Sequence, residues 1–391
     1  MVAQADFFAG IPIPVDPGRI DRELSKLWKP TSPGAGPKES SPEGSGGSAT
    51  RVCLSNLIFY FPDEDARRCA LEVVPAIGRR FPSRMLLLTH REGQGQLSAS
   101  VTAVCSFPAP GAPPVCCEQI VLEAPPGSVD IFRGAIMPLL VPDVPVILVA
   151  LFPGCEELIG LAEDFVDRLV IDSTVRPIGF LEALVSRFAE GCAAVDDVAW
   201  HITRPWRHIL CDLFDEGPLR LMLASLRRIE VAFRPQAGRA GAPVVEGEAG
   251  GAVPAALLAG WLLSRLGWRP ATSRWSAGGL VASCEQEGRA LELTLRPDER
   301  PDAPPGQPLE VHLSAGEEAK SGYLRLGLVD GLSFRIDHRT AEACILPRRI
   351  PYRKTAYAAL LGAALERVTH QGVLRGAVET ALKLAPRASG S

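Results

Sequence analysis

The sequence lacks the long apolar run that a membrane-spanning helix requires. Its most apolar stretch, residues 136–153, is interrupted by Pro138, Pro142, Asp143 and Pro145, which a span of about 20 apolar residues does not accommodate. The first residues, MVAQAD, show no basic segment followed by an apolar one, so no secretory signal is expected. The sequence therefore predicts no membrane partner and a cytoplasmic location.

An excess of either charge is also missing. Lys plus Arg number 41 and Asp plus Glu number 45 in 391 residues, which gives a formal net charge of −4. Nucleic-acid binding depends on a strong basic footprint, and the chain as a whole has none, so no nucleic-acid partner is expected. Hydrophobic residues make up 47% and charged residues 22%, values typical of globular domains, which excludes extensive disorder.

Metal and redox motifs are absent as well. None of the ten cysteines forms a Cys-x-x-Cys pair, so we expect a reduced protein with buried thiols. Adjacent Cys116 and Cys117 read as ordinary strand residues, because neighbours on a strand point to opposite faces. His201 and His208 are separated by about 10 Å along a helix, too far to share a zinc ion with Cys211. We predict no metal and no cofactor.

No catalytic or phosphate-binding motif stands out. The sequence has no Gly-x-x-x-x-Gly-Lys-Ser/Thr, no His-Glu-x-x-His and no Gly-x-Ser-x-Gly. The segment Gly93-Gln94-Gly95 continues to Ser98 where a dinucleotide fingerprint has its third glycine. Four aspartates lack the spacing of a catalytic dyad and are expected in capping or salt-bridge roles: Asp167, Asp172, Asp196 and Asp197.

Glycine and proline are abundant, with 37 and 35 residues, and they mark the expected boundaries. In residues 30–50, 14 of 21 residues are Pro, Gly or Ser, which predicts a flexible linker. A second such stretch covers 235–252. The predicted organisation is therefore an amphipathic helix with a linker at 1–50, a domain at 51–234, the linker 235–252 and a second domain at 253–391.

The amphipathic helix is expected over residues 18–29, where Ile20, Leu24, Leu27 and Trp28 form one stripe. A helix of this length is marginal alone, so its stripe must pack on something. Two possibilities are open: the helix packs on its own domain, or it binds a partner.

The first domain is predicted to be α/β, with a mostly parallel or mixed sheet flanked by helices. A strand at 52–61, a helix capped by Asp63 that runs to residue 80 with a possible kink at Pro75, and a strand at 84–89 form a βαβ unit. Further strands are expected at 98–107, 117–123, 145–152, 168–172 and 228–233. Further helices are expected at 128–140, 156–165, 178–190 and 205–214.

The second domain is predicted to be a smaller α+β domain with an antiparallel sheet. A helix at 254–266 ends at Gly267, and period-two segments follow at 280–287, 290–296, 309–314, 323–328 and 332–338. Residues 355–384 are mostly helical. Before them stands a basic tetrad, Arg348, Arg349, Arg353 and Lys354, which contacts phosphates or an acidic partner, or forms a solvated turn.

Several motifs resemble the glucose-6-phosphate dehydrogenase assembly protein (OpcA) family. They stand in the order Ser55-Asn56-Leu57-Ile58, Phe81-Pro82-Ser83-Arg84, Glu118-Gln119-Ile120-Val121, MPLLVPDVPV at 137–146, DRLVIDS at 167–173, Asp197-Val198-Ala199-Trp200, Arg204-Pro205-Trp206-Arg207 and GWLLSRLGW at 260–268. One departure is VALFPG at 149–154, where the family often has paired tryptophans. The resemblance implies a non-enzymatic partner of glucose-6-phosphate dehydrogenase that helps the enzyme to assemble or to stay active in the oxidative pentose phosphate pathway.

An interface of that kind needs aromatic and arginine anchors, and the candidates are Trp200, Arg204, Trp206 and Arg207. A core role for the two tryptophans is an equal alternative. The second function class is an enzyme or binder of sugar phosphates or nucleotides. Its site would lie at the carboxyl ends of the parallel strands, near Pro62, His90 and residues 152–154.

Overall fold

The computed structural model describes residues 7–28, 50–93, 95–107, 114–127, 129–182, 185, 194–236, 250–276, 278–300, 302–316, 322–340, 344–366 and 372–385. The chain divides into two compact units, Met1–Val170 and Ile171–Ser391. Apart from Thr50, the linker predicted at 30–50 lies outside the described residues, as do 237–249 of the linker predicted at 235–252. The domain limits drawn from the sequence stay predictions.

The first unit is built on a mixed sheet. Its strands are β1 (Phe7–Ala9), β2 (Ile13–Val15), β3 (Thr50–Arg51), β4 (Asn56–Phe61), β5 (Arg84–His90), β6 (Ser98–Ser106), β7 (Val115–Ala124), β8 (Val146–Ala150) and β9 (Arg168–Ile171). Its helices are α1 (Ile20–Leu27), α2 (Glu64–Cys69), α3 (Val73–Arg80), α4 (Asp130–Ile136) and α5 (Glu156–Leu161). The strand order is β1-β6-β7-β5-β4-β8-β9, with β2 paired to β6 and β3 to β7. Strands β7, β5, β4 and β8 are parallel and β6 is antiparallel to β7, as the predicted fold class requires.

The amphipathic helix packs on its own unit. Helix α1 contacts β6, and Ile20 and Leu24 are each 2% exposed. The first of the two possibilities left open by the sequence is thus confirmed for these residues.

The helix predicted from Asp63 to residue 80 is two helices. Asp63 does cap α2, since its carboxylate accepts the backbone N–H of Ala66 at 2.7 Å. The chain then breaks, and α3 restarts at Val73 with Pro75 in its first turn. Proline is tolerated there but not in a helix interior, because its ring would clash with the carbonyl four residues earlier. A kink at Pro75 was therefore the wrong prediction, and a break before it is what the structure shows.

The prediction that the cysteines are all reduced thiols is also wrong. Cys105 and Cys116 form a disulfide between β6 and β7, where the antiparallel register places them directly opposite each other. Cys117 points the other way, and its buried thiol lies 3.5 Å from the carbonyl oxygen of Val104. The sequence spacing of these cysteines gave no information about the register that brings the pair together.

The second unit contains strands and helices that alternate less regularly. The strands are β10 (Ala194–Asp197), β11 (Leu226–Phe233), β12 (Arg269–Ser276), β13 (Gly279–Gln286), β14 (Arg289–Pro297), β15 (Pro308–Ala315), β16 (Gly322–Val329), β17 (Ser333–Arg339) and β18 (Cys344–Pro351). The helices are α6 (Val198–Ile202), α7 (Arg204–Asp215), α8 (Gly217–Leu223), α9 (Val253–Leu266), α10 (Tyr357–Glu366) and α11 (Gly372–Leu382).

Eight of these strands form a mostly antiparallel sheet in the order β12-β13-β14-β11-β15-β16-β17-β18. The predicted period-two strands are all present. Strand β11 was expected to end the first domain; instead it is a central strand of this sheet, parallel to β14 and antiparallel to β15. Its apolar alternation identified a strand correctly but carried no information about which sheet it joins.

One face of this sheet is covered by helices. Helix α9 is buried over residues 253–263, packs against β11 and α11, and ends at Gly267, whose φ of 77° is the left-handed conformation predicted for it. At Gly260 the two helices come so close that a Cβ atom would lie 2.4 Å from the carbonyl oxygen of Ala377. Among the described helices, none is long and apolar enough to cross a membrane.

Candidate functional site

The four candidate anchors lie on α6 and at the start of α7, and we call residues 197–207 the candidate anchor segment. It begins at Asp197, whose buried carboxyl group caps α6. One carboxylate oxygen of Asp197 accepts the N–H groups of Ala199 at 3.0 Å and Ser173 at 3.1 Å, and the Ser173 hydroxyl donates to the other oxygen. Complete burial raises the pKa of Asp197 to about 7, although these hydrogen bonds oppose the shift. The capping role predicted for this aspartate is confirmed.

His201 is oriented by the neighbouring aspartate. Its Nε2 lies 3.0 Å from Oδ1 of Asp196, and both side chains are 1% exposed. His208 and Cys211 are exposed on α7, so the three candidate metal ligands do not converge. Across the described ranges, no group of three or more His, Cys, Asp or Glu side chains is placed to hold a metal ion.

Arg207 locks the turn between α6 and α7. Its guanidinium carbon lies 3.4 Å from the centroid of the Trp200 ring, close enough for a cation–π interaction. The same group donates to the Trp200 carbonyl oxygen at 3.2 Å, and its Nε donates to the Thr203 hydroxyl at 3.1 Å. The guanidinium is thus engaged within the chain.

Trp206 belongs to the interior of the second unit. It is 0% exposed and packs edge-on against Phe334, with ring centroids 4.8 Å apart. Trp200 is 1% exposed, so the structure places both indoles in the core. Of the four candidate anchors, only Arg204 is exposed, and Arg207 is half-buried. Partner binding through this group stays a prediction, and burial of the indoles leaves Arg204 as the side chain best placed to take part.

A sequence signal for this burial existed. Trp206, Leu210 and Leu213 are spaced i, i+4 and i+7, which is the buried stripe of an amphipathic helix, and all three are at most 1% exposed. The period of these residues, and not the residue types of the motif, indicates that Trp206 is buried.

The sequence reasoning missed a polar contact next to this segment. The Tyr357 hydroxyl donates to Oδ2 of Asp172 at 2.6 Å, while Oδ1 of Asp172 accepts the N–H of Thr174 at 2.9 Å. Desolvation around the hydroxyl and the carboxylate of Asp172 raise the pKa of Tyr357, so the phenol remains a donor even though the residue is 37% exposed. The contact ties the start of α10 to the chain just before Ser173. Two residues 185 positions apart in the sequence offered no local pattern by which to find it.

The alternative site at the carboxyl ends of the parallel strands is filled by its own side chains. Phe152 packs on Phe61 with ring centroids 6.1 Å apart, and His90 packs on Phe132 at 5.1 Å. The Nδ1–H of His90 donates to the Pro125 carbonyl oxygen at 2.7 Å, and a Cβ on Gly154 would lie 3.2 Å from Cβ of Pro62. A cavity of about 750 Å³ in this unit lies elsewhere, between α1 and α4. Ligand binding at the strand ends stays a prediction.

Fold and site together define a protein with an α/β unit and an α+β unit, in which both tryptophans among the candidate anchors are buried. The sequence profile described as the glucose-6-phosphate dehydrogenase subunit N-terminal domain matches residues 74–186, and that of the C-terminal domain matches residues 193–378. The chain belongs to this family, the OpcA family of glucose-6-phosphate dehydrogenase assembly proteins.

Curated relatives carry the name of OxPP cycle protein OpcA. The protein from Synechococcus elongatus is 26% identical over 60% of this chain and 49% of its own length. The one from Synechocystis is 23% identical over 60% of this chain and 48% of its own length. The chain therefore spans about half the length of the curated relatives it matches.

Solved structures show only distant likeness. An oxidoreductase domain protein from Kribbella flavida is 11% identical, with a TM-score of 0.39 over 84% of this chain and 91% of that chain. A mutant of Gal80p from Saccharomyces cerevisiae is 9% identical, with a TM-score of 0.41 over 80% of this chain and 86% of that chain.

Proposed function

We propose that this chain is a non-catalytic partner of glucose-6-phosphate dehydrogenase that favours the active oligomeric form of that enzyme in the oxidative pentose phosphate pathway. The observation that carries the proposal is the family match over residues 74–186 and 193–378, because both matched domains are described as parts of a glucose-6-phosphate dehydrogenase subunit. The names of the cyanobacterial relatives support the same pathway.

The chemistry of the candidate segment supports a binding role over a catalytic one. A general acid or base must lie within hydrogen-bond reach of its substrate. Asp197 and His201 are instead buried against Ser173 and Asp196, and Arg207 is stacked on Trp200. These groups therefore stabilise the folded chain, and its exposed surface is what can contact a partner protein.

An activator works by unequal affinity. A partner that bound both states of the enzyme equally would shift nothing, whereas a tenfold preference for the active oligomer contributes about 1.4 kcal/mol to that equilibrium. A stable interface of this kind buries roughly 1,200–2,000 Å² of total surface. The proposal therefore requires a large surface of this chain to contact the enzyme.

The test combines size and rate. The purified chain is titrated into the glucose-6-phosphate dehydrogenase from the same organism. The oligomeric state is followed by gel filtration with light scattering, and initial rates are recorded in parallel. We expect co-elution, a larger fraction of the active oligomer and a saturable rise in rate. If a saturating amount of the chain changes neither the rate nor the oligomeric state of the enzyme, the proposal is wrong. Turnover of glucose 6-phosphate by the chain alone would also overturn it.

The same preparation tests the second function class. Glucose 6-phosphate and nicotinamide nucleotides are added to the isolated chain and the melting temperature is recorded. We expect no saturable shift, since Phe61, His90 and Phe152 pack against neighbouring rings at the strand ends. A saturable shift would favour a small-molecule binder.

A further inference from the structure

The eight-stranded sheet of the second unit has one open face, and its residues stand in register across the strands. The middle row runs through seven strands: Arg274, Val281, Thr294, Glu230, His312, Arg325 and Asp337. One flanking row contains Thr272, Ser283, Glu292, Arg228, Ser314, Tyr323 and Arg339. The other contains Arg296, Ala232, Glu310, Gly327, Arg335 and Arg349. All but Ala232 are exposed or half-buried, as on the solvent side of an antiparallel sheet.

These rows carry more positive than negative charge. They contain seven arginines, no lysine and four carboxylates, an excess of three positive charges. The whole chain has a formal charge of −4, so the face is a basic region of an acidic molecule. Arginine is also the charged residue most enriched at energetically important interface positions.

Each carboxylate of the face lies near an arginine of the same face. Glu230 is 2.9 Å from Nε of Arg296, and Glu310 is 2.9 Å from Nε of Arg325. The other two contacts join Glu292 to Arg228 at 3.1 Å and Asp337 to Arg335 at 3.9 Å. The carboxylates of the three rows are therefore matched within the face. The arginines outside these four contacts are Arg274, Arg339 and Arg349, and Arg349 lies 3.9 Å from a carboxylate oxygen of Asp330, just after β16.

Strands β16 to β18 hold four of the seven arginines of the rows and one of the four carboxylates, so by count the surplus lies at this end of the sheet, although Arg325 and Arg335 each contact a carboxylate. Here Arg325, Arg335, Arg339 and Arg349 form a patch that we name the basic sheet face. The side chains of Arg325, Arg335 and Arg349 are 58%, 53% and 63% exposed. Leu346, on the edge strand β18, is 87% exposed beside this patch and supplies an apolar contact at its rim. The basic tetrad noted in the sequence contributes Arg349 to it.

We propose that the basic sheet face is the surface that docks the dehydrogenase, and that the enzyme presents a cluster of carboxylates to it. This inference rests on the proposed function and names the interface that the function requires. Complementary charge of this kind steers two proteins together and fixes their orientation.

Charge also decides between the possible occupants. A second copy of this chain that bound through the same face would bring one surplus of positive charge against another, which is unfavourable. A nucleic acid would place phosphates beside the carboxylates of Glu310 and Asp337, and Tyr323 is the only aromatic ring in the three rows, apart from the imidazole of His312, on which a base could stack. An acidic protein surface can meet the arginines and leave the matched pairs in place.

The mode of contact is through side chains. Strand β18 is an edge of the sheet, but Pro347 and Pro351 lack the N–H groups that an added strand would need. The partner is therefore expected to lie across the face of the sheet and not to extend its edge.

The test uses charge reversal with a matched control. The double variant Arg335→Glu with Arg349→Glu alters the face, whereas Arg68→Glu with Arg375→Glu makes the same change of charge at exposed arginines of α2 and α11. Binding to immobilised dehydrogenase is measured by biolayer interferometry at 50 and 300 mM NaCl. We expect at least a tenfold rise in Kd, a slower association rate and a weaker salt dependence for the face variant, and a change below twofold for the control.

The outcomes separate this inference from the function beneath it. If the wild-type chain binds and the face variant binds equally well, the interface is wrong and the proposed function stands. If the wild-type chain does not bind, both fail. Circular dichroism checks folding, and Arg349→Gln repeats the test without reversing charge, with an intermediate loss expected. Tight binding of a 30-base-pair DNA, or self-association of the chain, that is lost in the face variant would overturn the choice of an acidic protein.

Discussion

The indole nitrogen of Trp28 lies 2.7 Å from Oε1 of Glu118, a carboxylate that is 3% exposed and 90 residues further along the chain. Arg51 contacts the same oxygen at 2.7 Å, and Arg84 reaches Oε2 at 2.7 Å. One buried carboxylate thus joins the end of α1 to strands β3, β5 and β7. The chain leaves this point at Trp28 and returns to it at Arg51.

Neutralising this carboxylate should loosen the first unit. In Glu118→Gln the buried Arg84 loses its nearest counter-ion, so we expect the free energy of unfolding to fall by about 3 kcal/mol. Urea titration followed by tryptophan fluorescence measures it. The matched control is Glu123→Gln, which removes a more exposed carboxylate from Arg67 and Arg91 and should cost about 1 kcal/mol or less. Equal losses in the two variants would contradict the central role of Glu118.

The close contact between α9 and α11 makes a second prediction. A methyl group at Gly260 would meet the Ala377 carbonyl oxygen at 2.4 Å and the Ala381 nitrogen at 3.1 Å. Gly260→Ala must therefore push the helices apart, and we expect a loss of about 1–3 kcal/mol in thermal or urea unfolding. Gly376→Ala, in α11, meets only Ser264 at 3.7 Å and should be neutral or stabilising by up to about 1 kcal/mol. Similar losses would show that the helices do not approach as described.

Asp197 makes stability depend on pH. Its pKa is about 7 in the folded chain, against an ordinary value near 4, so the folded state holds a proton that the unfolded state has released. The free energy of unfolding should fall as pH rises from about 4 to about 7 and level off above, by about 4 kcal/mol from this group alone.

The check is urea unfolding between pH 4.5 and pH 8 for the wild type and Asp197→Asn. The amide keeps the acceptor for Ser173 and Ala199 but cannot titrate, so its curve should fall less steeply. Asp212→Asn, on the exposed side of α7, serves as the control and should follow the wild type. Parallel curves for wild type and Asp197→Asn would refute the assignment.

Substitutions in the candidate anchor segment should differ in their effect on the free energy of unfolding. Trp206→Ala removes a fully buried indole from its contact with Phe334, and we expect a loss of about 3–5 kcal/mol. Arg204→Ala removes an exposed side chain and should change stability by less than about 0.5 kcal/mol. Binding of Trp206→Ala to the dehydrogenase is informative only without denaturant and at a temperature at which the variant is still folded. A stable Trp206→Ala would place the indole outside the core.

Period and capping predicted most of the elements. The alternation of apolar residues in β13 to β17, the Asp63 cap and the Gly267 terminus all have local causes, and the structure contains each of them. Edge strands were harder to predict from the sequence. Strand β12 has no buried residue and β18 is largely exposed, so neither shows the apolar alternation that marks a strand in the sequence.

Long-range pairing was beyond the sequence. The facing positions of Cys105 and Cys116, the contact of Tyr357 with Asp172 and the approach of Trp28 to Glu118 each depend on register or packing between distant segments. The tryptophans of the anchor segment are different, because the spacing of Trp206, Leu210 and Leu213 contained the answer.

Strand β11 leaves the ribosome before either strand that flanks it in the sheet. Its Arg228 pairs with Glu292 of β14 and Ser314 of β15, both of which are synthesised much later. Until those strands are made, the sheet in which Ile229, Val231 and Phe233 are buried cannot form. The nascent chain therefore carries an uncovered apolar segment through a large part of its synthesis, and folding of the second unit waits for a late, non-local closure. We expect chaperone binding to be most important at this stage of synthesis.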